Sequence, residues 1–108
     1  MIDWTRVEEL RSEVGEEAFD EVVALFLEEV DETVAEVAGL QDDSQIKDML
    51  HFLKGSALNL GFGGFADLCS DGEQRLLAGG SVELDPILTA YQDSKSAFVL
   101  GLAERLSA

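Results

Sequence analysis

Apolar residues recur along one long stretch of the chain at intervals of three and four, the spacing that places them on one face of an α-helix. The stretch runs from about residue 16 to residue 37, and its apolar members are Phe19, Val23, Phe26, Val30, Val34 and Val37. Acidic residues fill many of the remaining positions. The pattern predicts a long amphipathic helix with one buried apolar face and an acidic face in water.

Glycines and capping residues mark off four further segments of helical periodicity, with predicted bounds of about 3–14, 42–60, 64–78 and 85–106. The expected caps and stops of the first three are Asp3, Gly15, Asp42 or Asp43, Gly61 and Gly79-Gly80. The last start has the clearest signal, because Asp85 at the cap position precedes Pro86 at the first helical position. Every segment is therefore predicted to be a helix.

The last three segments carry apolar stripes that are predicted to face inward. These are Ile46, Leu50, Leu53, Ala57 and Leu60 on the third helix, Phe65, Leu68, Cys69, Leu76 and Leu77 on the fourth, and Ile87, Leu88, Tyr91, Phe98, Leu102 and Leu106 on the fifth. Four long amphipathic helices joined by short loops favour an all-α fold, an antiparallel up-down four-helix bundle. We expect residues 1–108 to form this single domain, with the short additional N-terminal helix across one end.

The composition excludes several classes of function. Twenty-three acidic residues against seven basic ones give a net charge of −16, which repels nucleic acids and anionic membrane surfaces. One cysteine, Cys69, and one histidine cannot build a disulfide or a zinc site, so we expect no bound metal and a structural role for Cys69 in the core. The chain shows no signal peptide and no apolar run that could span a bilayer, which favours a cytoplasmic protein.

The negative charge is concentrated in the first part of the chain. Residues 1–43 hold 15 acidic and two basic residues, whereas residues 44–108 hold eight acidic and five basic residues. A solvated acidic helix face accounts for most of this difference, because such faces keep small domains soluble. The nearly neutral segment that follows contains the only histidine.

That histidine, His51, is predicted to point away from the core. At roughly 100° per residue, it lies about 140° around the third helix from Ile46, on the side opposite the apolar stripe. Lys47, Lys54 and Gly55 lie three or four residues from His51 and are therefore its neighbours on the helix surface. Leu58 follows one turn further along the same exposed strip.

These neighbours suit a histidine that accepts a phosphoryl group. A neutral imidazole is a nucleophile near pH 7, and a lysine one turn away can offset the negative charge that a phosphoryl group brings. Gly55 costs roughly 1 kcal/mol in a helix interior relative to alanine. One reason to retain it is clearance for a partner's backbone beside His51. The other interpretations are that the glycine is a tolerated defect of the helix or that a second helix packs closely there.

In this arrangement the chain resembles the histidine-containing phosphotransfer (HPt) family, the phosphocarrier domains of multistep two-component signalling. The residues that carry the resemblance are His51, Leu53, Lys54, Gly55, Ser56, Ala57, Leu60 and Gly61. The segment from Phe19 to Phe26 is similar to the second helix of the family, and Asp3 with Gly15 is similar to its opening helix. The resemblance implies a helical bundle and a phosphorelay function.

The resemblance also implies roles for particular residues. His51 would take a phosphoryl group from a receiver-domain aspartyl phosphate and pass it to another receiver. Glu73 matches the position that orients the imidazole ring, and Lys54 would neutralise phosphate charge. Lys47, Leu58 and Arg75 are candidates for receiver docking.

The implied partners are response-regulator receiver domains and a hybrid histidine kinase, with Mg²⁺ held by the receiver and no cofactor on this chain, which we expect to be monomeric. No ATP site of its own is expected, because the glycines around Gly61 lack the Lys-Ser/Thr of a phosphate-binding loop. The alternative is a non-phosphorylated helical adaptor that binds or inhibits a receiver or kinase through the same face.

Overall fold

The computed structural model describes residues 2–107, and the side chains of residues 2–105, so the side chain of Leu106 lies outside the described residues. Within this part of the chain the structure is all-α, and the only β-type pairing is an isolated bridge between Ile2 and Phe62. The helices are α1 Trp4–Val14, α2 Glu16–Ala38, α3 Asp43–Leu60, α4 Gly63–Leu77 and α5 Leu84–Ser107. The predicted all-α fold class is confirmed.

The predicted caps of α1 and α3 are confirmed. The Asp3 carboxylate accepts a hydrogen bond from the Arg6 backbone N–H at 3.3 Å, and the Asp42 carboxylate accepts one from Ser44 at 2.8 Å. These bonds satisfy N–H groups that have no acceptor within the helix. Gly61 ends α3 with φ of +79°, a left-handed conformation that favours glycine.

The predicted start of α5 is wrong by two residues. The helix begins at Leu84, so Asp85 and Pro86 lie within its first turn instead of at the cap and first helical positions. The cause is that all N–H groups of the first turn lack an intrahelical acceptor, so a proline is tolerated anywhere in that turn. Asp85 keeps a favourable place there, beside the positive end of the helix dipole.

The helices pack around one core, to which all five contribute side chains. Helix α3 contacts α1, α2 and α4, and α5 contacts α4 and α2. A polar tie joins α2 to α5, because Asp31 accepts hydrogen bonds from the Tyr91 hydroxyl at 2.5 Å and from Lys95 Nζ at 2.7 Å. The most deeply buried large side chains include Phe19, Leu50, Leu53, Leu60, Phe62, Phe65, Tyr91 and Phe98.

Two residues of the predicted α4 stripe are exposed, which corrects that prediction. Leu68 and Leu77 face solvent, whereas Phe65 and Cys69 are buried. Around the helix axis, Leu68 lies about 100° and Leu77 about 80° from Cys69, on opposite sides of it. The arc that α4 buries against α3 and α5 is too narrow to include both positions.

The N-terminus fastens α1 to the turn between α3 and α4. The Asp3 backbone N–H donates to the Gly61 carbonyl at 2.7 Å. A Cβ at position 61 would come within 2.6 Å of the Asp3 carbonyl oxygen, so this close approach requires glycine. The next residue, Trp4, stacks on Phe98 of α5, with ring centroids 6.0 Å apart. Helix α1 is therefore held beside the C-terminal end of α3.

None of the described helices is both long enough and apolar enough to cross a membrane.

Candidate functional site

The site is centred on His51, in the middle of α3. Leu50 and Leu53 on either side of it are fully buried, and this fixes the rotation of the helix about its axis. The side chain of His51, which points the other way, is 70% exposed. The packing of α3 into the core thus holds the imidazole at the surface.

Glu73 of α4 fixes the orientation of the ring. Its Oε2 lies 2.7 Å from His51 Nδ1, and its side chain is only 13% exposed. An ionised carboxylate can only accept a hydrogen bond, so Nδ1 carries the ring proton and donates a hydrogen bond to Glu73. The lone pair of the neutral ring is then on Nε2, which is the nucleophilic nitrogen of this tautomer.

Gly72 explains why Glu73 can reach His51. This glycine is buried, and a Cβ built on it would lie 3.0 Å from a methyl group of Leu50 and 3.0 Å from one of Val82. Its missing side chain allows α4 to approach α3 at the level of Leu50. The next residue along α4, Glu73, is thereby brought against the residue that follows Leu50, which is His51.

Lys54 extends the same group of charges. Its Nζ lies 3.9 Å from Glu73 Oε1, so one carboxylate contacts the imidazole with one oxygen and the ammonium with the other. The lysine side chain is half-buried and lies one helical turn beyond His51. A positive charge therefore stands beside the imidazole, where a phosphoryl group would add negative charge.

Gly55 is an open position, in contrast to Gly72. It is exposed, and nothing lies within 4 Å of a Cβ built on it. The interpretation of Gly55 as the site of a close helix approach is therefore wrong. The space beside the imidazole is free for an approaching molecule.

The histidine belongs to a strip of α3 that faces away from the core. We call this strip the His51 face and define it as Lys47, His51, Lys54, Gly55 and Leu58. Leu58 is 53% exposed, and Phe52, which the sequence reasoning did not place in the site, is exposed next to the strip. An imidazole flanked by two lysines and an apolar side chain is a surface that a second protein can contact.

The comparisons with known proteins identify the family. The Hpt domain model matches residues 21–108, from α2 to the end of the chain. The chain belongs to the Hpt domain family. Hpt domains are phosphocarriers of two-component phosphorelays and interact with response-regulator receivers. No curated protein and no solved structure matches the chain.

Arg75 is the predicted site residue that this Hpt domain holds furthest from the histidine side of α4. Arg75 is two positions after Glu73, which places it about 200° further around the helix. Its Nε donates to Asp71 at 2.9 Å, and it lines a shallow cavity with Leu68 and Val82. The structure thus brings together His51, Lys54, Gly55 and Glu73, with Arg75 on the other side of α4.

Cys69 of the Hpt domain lies in the core, one turn before Glu73. It is fully buried, and burial raises the pKa of its thiol to about 12, with a further contribution from the negative charge of Glu73. A thiol with that pKa carries almost no thiolate near pH 7 and is a poor nucleophile. These properties fit a packing residue.

Proposed function

We propose that His51 accepts a phosphoryl group from the aspartyl phosphate of one receiver domain and passes it to an aspartate of another. The observation that carries the proposal is an exposed histidine whose Nδ1 donates to a half-buried glutamate. This arrangement leaves Nε2 available to a reacting partner, while the hydrogen bond at Nδ1 holds the ring in place. Membership of the family supports the reaction class, and the geometry supports His51 as the accepting residue.

The transfer step follows from the tautomer. The lone pair of His51 Nε2 attacks phosphorus, an N–P bond forms, and the P–O bond to the receiver aspartate breaks. The aspartate leaves as a carboxylate, and the ring, still protonated on Nδ1, gains positive charge. The carboxylate of Glu73, 2.7 Å from Nδ1, stabilises that charge. The reverse sequence delivers the phosphoryl group to the second receiver.

Other residues of the His51 face assist. Lys54 offsets the charge of the bound phosphoryl group, and Gly55 leaves the approach to Nε2 open. Lys47 and Leu58 contribute to docking. The divalent cation belongs to the receiver, so this chain needs no cofactor and no ATP site of its own.

We also infer that α2 to α5 form an up-and-down antiparallel bundle and that one such monomeric domain in the cytoplasm serves receivers and a hybrid kinase. Support for the bundle comes from the contacts of α2 with α3, α3 with α4, α4 with α5 and α5 with α2, which close a ring of four helices. Short connections between successive helices favour antiparallel neighbours.

Transfer from a phosphorylated receiver tests the proposal. Receiver domains of the same organism are phosphorylated with acetyl phosphate in the presence of Mg²⁺. The remaining acetyl phosphate is removed, and the phosphorylated receivers are mixed with the chain. We expect acid-labile, base-stable phosphate on the wild-type chain. We expect none on the His51→Gln variant, whose circular dichroism should match that of the wild type. Binding without transfer would instead identify an adaptor, and label on His51→Gln would show that another residue accepts the phosphoryl group.

A further inference from the structure

Arg6 of α1 brings a guanidinium to the edge of the His51 face. Its Nη2 lies 3.5 Å from the side-chain oxygen of Asn59, an exposed residue of α3. Asn59 is eight residues beyond His51, which is roughly 12 Å along the helix and about 80° around it. Arg6 therefore stands on one side of the exposed surface of α3, and Glu73 of α4 stands on the other.

The guanidinium is held in place from its far side. Its Nη1 lies 3.2 Å from Glu13 Oε1 and 3.4 Å from Glu9 Oε2, both on the same helix, and the Arg6 side chain is only 23% exposed. These two ion pairs restrict the rotamers of a side chain that otherwise loses much entropy when it is ordered. The Nη2 edge is thus directed at α3 before any partner arrives.

The contact with Asn59 is the one that a partner can replace. At 3.5 Å it is the longest of the three, and its acceptor is a neutral amide oxygen. A guanidinium binds a carboxylate more strongly than a neutral amide oxygen, because both partners of the pair are then charged and the pair can be bidentate. A carboxylate that approaches along α3 would therefore take over Nη2 without disturbing the pairs on Nη1.

The position of Arg6 falls within an ordinary protein interface. A typical interface buries about 800 Å² on each partner, equivalent to a disc of about 16 Å radius. A footprint of that size centred on His51 covers Leu58 and reaches Asn59. Helix α1 would then belong to the docking surface, although it lies outside the residues 21–108 matched by the family model.

We propose that Arg6 is a docking residue for the receiver and binds a carboxylate side chain at the rim of the interface. The inference rests on the proposed function, because it assumes that a receiver docks on the His51 face. Charge supports the choice of an acidic contact. The chain carries −16 overall, so a carboxylate of the partner can be paired only where a base is present, and Arg6, Lys47 and Lys54 supply three of its seven bases.

Transfer kinetics with Arg6 variants test the inference. The rate of phosphoryl transfer is measured against receiver concentration for wild type, Arg6→Gln, Arg6→Lys and the control Arg11→Gln. Arg11 is on the same helix but about 140° away around its axis, where it lines a cavity with Phe19 and Leu102. Melting temperature and Trp4 fluorescence report whether α1 still packs on α5.

We expect Arg6→Gln to raise KM about three- to tenfold with kcat changed less than about twofold, since a rim contact affects encounter and not chemistry. Arg6→Lys should lie between, because it keeps the charge but loses the planar fork. Arg11→Gln should match wild type. If Arg6→Gln loosens α1, the raised KM of a well-packed Arg6→Lys still supports the inference.

Two failures are distinguishable. If the wild-type chain accepts no phosphate from any receiver, the proposed function is wrong and the inference falls with it. If the wild type transfers normally and folded Arg6→Gln has an unchanged KM, or Arg6→Gln does not fold and Arg6→Lys has an unchanged KM, only the docking role of Arg6 is wrong. A lowered KM in Arg6→Gln would show that Glu9 and Glu13 attract a basic partner residue instead, which also overturns the inference.

Discussion

The outward face of α2 and the His51 face of α3 are both exposed helix surfaces, but their charges are organised differently. The α2 face carries acidic side chains for which the described part of the chain offers no ion pair: Glu17, Asp20, Glu21, Glu28, Glu29, Glu32 and Glu36. On the His51 face, the imidazole and the ammonium of Lys54 share one carboxylate, that of Glu73. The density of charge marks a solvated surface, whereas the pairing of charges around an exposed nucleophile marks the site.

The two faces also differ in how much each costs the fold. On α2, acidic residues four apart such as Glu17 and Glu21, or Glu28 and Glu32, repel by about 0.2–0.5 kcal/mol per pair. The buried stripe that includes Val30 and Val37 holds the helix in place despite this repulsion. On α3, the open position at Gly55 costs about 1 kcal/mol and has no packing benefit within the chain. The acidic charge of α2 favours solubility, whereas access to His51 is the role that we propose for the glycine at position 55.

The largest expected difference between the faces comes from a matched pair of leucines. Leu58 on the His51 face is 53% exposed and Leu25 on α2 is 57% exposed. Leu58→Asp should weaken receiver binding at least about tenfold, because it places a charge where the His51 face offers its exposed apolar side chain. Leu25→Asp should leave binding unchanged. Titration of a receiver by calorimetry measures both, and equal effects of the two variants would remove the distinction between the faces.

A smaller effect is expected at the orienting carboxylate. Glu73→Ala should lower the kcat of transfer about tenfold, the size of effect seen when the partner that orients a histidine is lost, with KM unchanged. Glu73→Gln should recover part of the rate, since its amide oxygen can still accept from Nδ1. Glu36→Ala on α2 is the control. Stopped-flow transfer assays measure the rates, and a full kcat in Glu73→Ala would contradict the orienting role.

The two glycines of the site should respond in opposite ways. Gly55→Gln should raise the free energy of unfolding by up to about 1 kcal/mol, because glycine is the poorer helix former. It should also slow transfer several-fold, because a side chain beside His51 obstructs the partner. Gly72→Ala should lower the free energy of unfolding by about 1–3 kcal/mol, because its Cβ meets Leu50 and Val82.

Urea unfolding with transfer rates separates these two effects. A Gly55→Gln protein that is both destabilised and slow would assign Gly55 to packing. A Gly72→Ala protein as stable as wild type would remove the explanation for the close approach of α4 to α3.

The smallest expected effect is that of salt. Raising ionic strength from ~0.01 M to ~0.15 M shortens the Debye length from about 30 Å to about 8 Å and screens the acids of α2 from acidic groups of the receiver. Association of Arg6→Gln, which lacks the attraction proposed at Arg6, should therefore stay constant or become faster, as measured by stopped-flow mixing. A steep loss of its association with salt would show that the acidic α2 face meets the partner.

Periodicity and caps were enough to predict the five helices and the outward position of His51. Each of these depends on local spacing, which the sequence records directly. The start of α5 was missed, because Asp85 and Pro86 fit several positions in a first turn equally well. Leu68 and Leu77 were assigned to the core, because spacing alone does not reveal how narrow an arc a helix buries between two neighbours.

The parts of the site that the sequence did not predict are those that depend on contacts between distant segments. The role of Gly72 depends on its closeness to Leu50 of another helix, which seats Glu73 against His51. Arg6 had no sequence signal linking it to the site, since it is 53 residues from Asn59. The backbone tie between Asp3 and Gly61 helps to place α1 beside α3.

The nitrogen that carries the phosphate tests the central claim most directly. The chain is labelled with ¹⁵N at its single histidine, phosphorylated by a receiver, and its ring nitrogens are observed by NMR. The tautomer fixed by Glu73 requires phosphorus on Nε2 of His51, with Nδ1 still protonated. Phosphorus on Nδ1, phosphate on any other residue, or an unmodified ring after productive receiver binding would contradict the account.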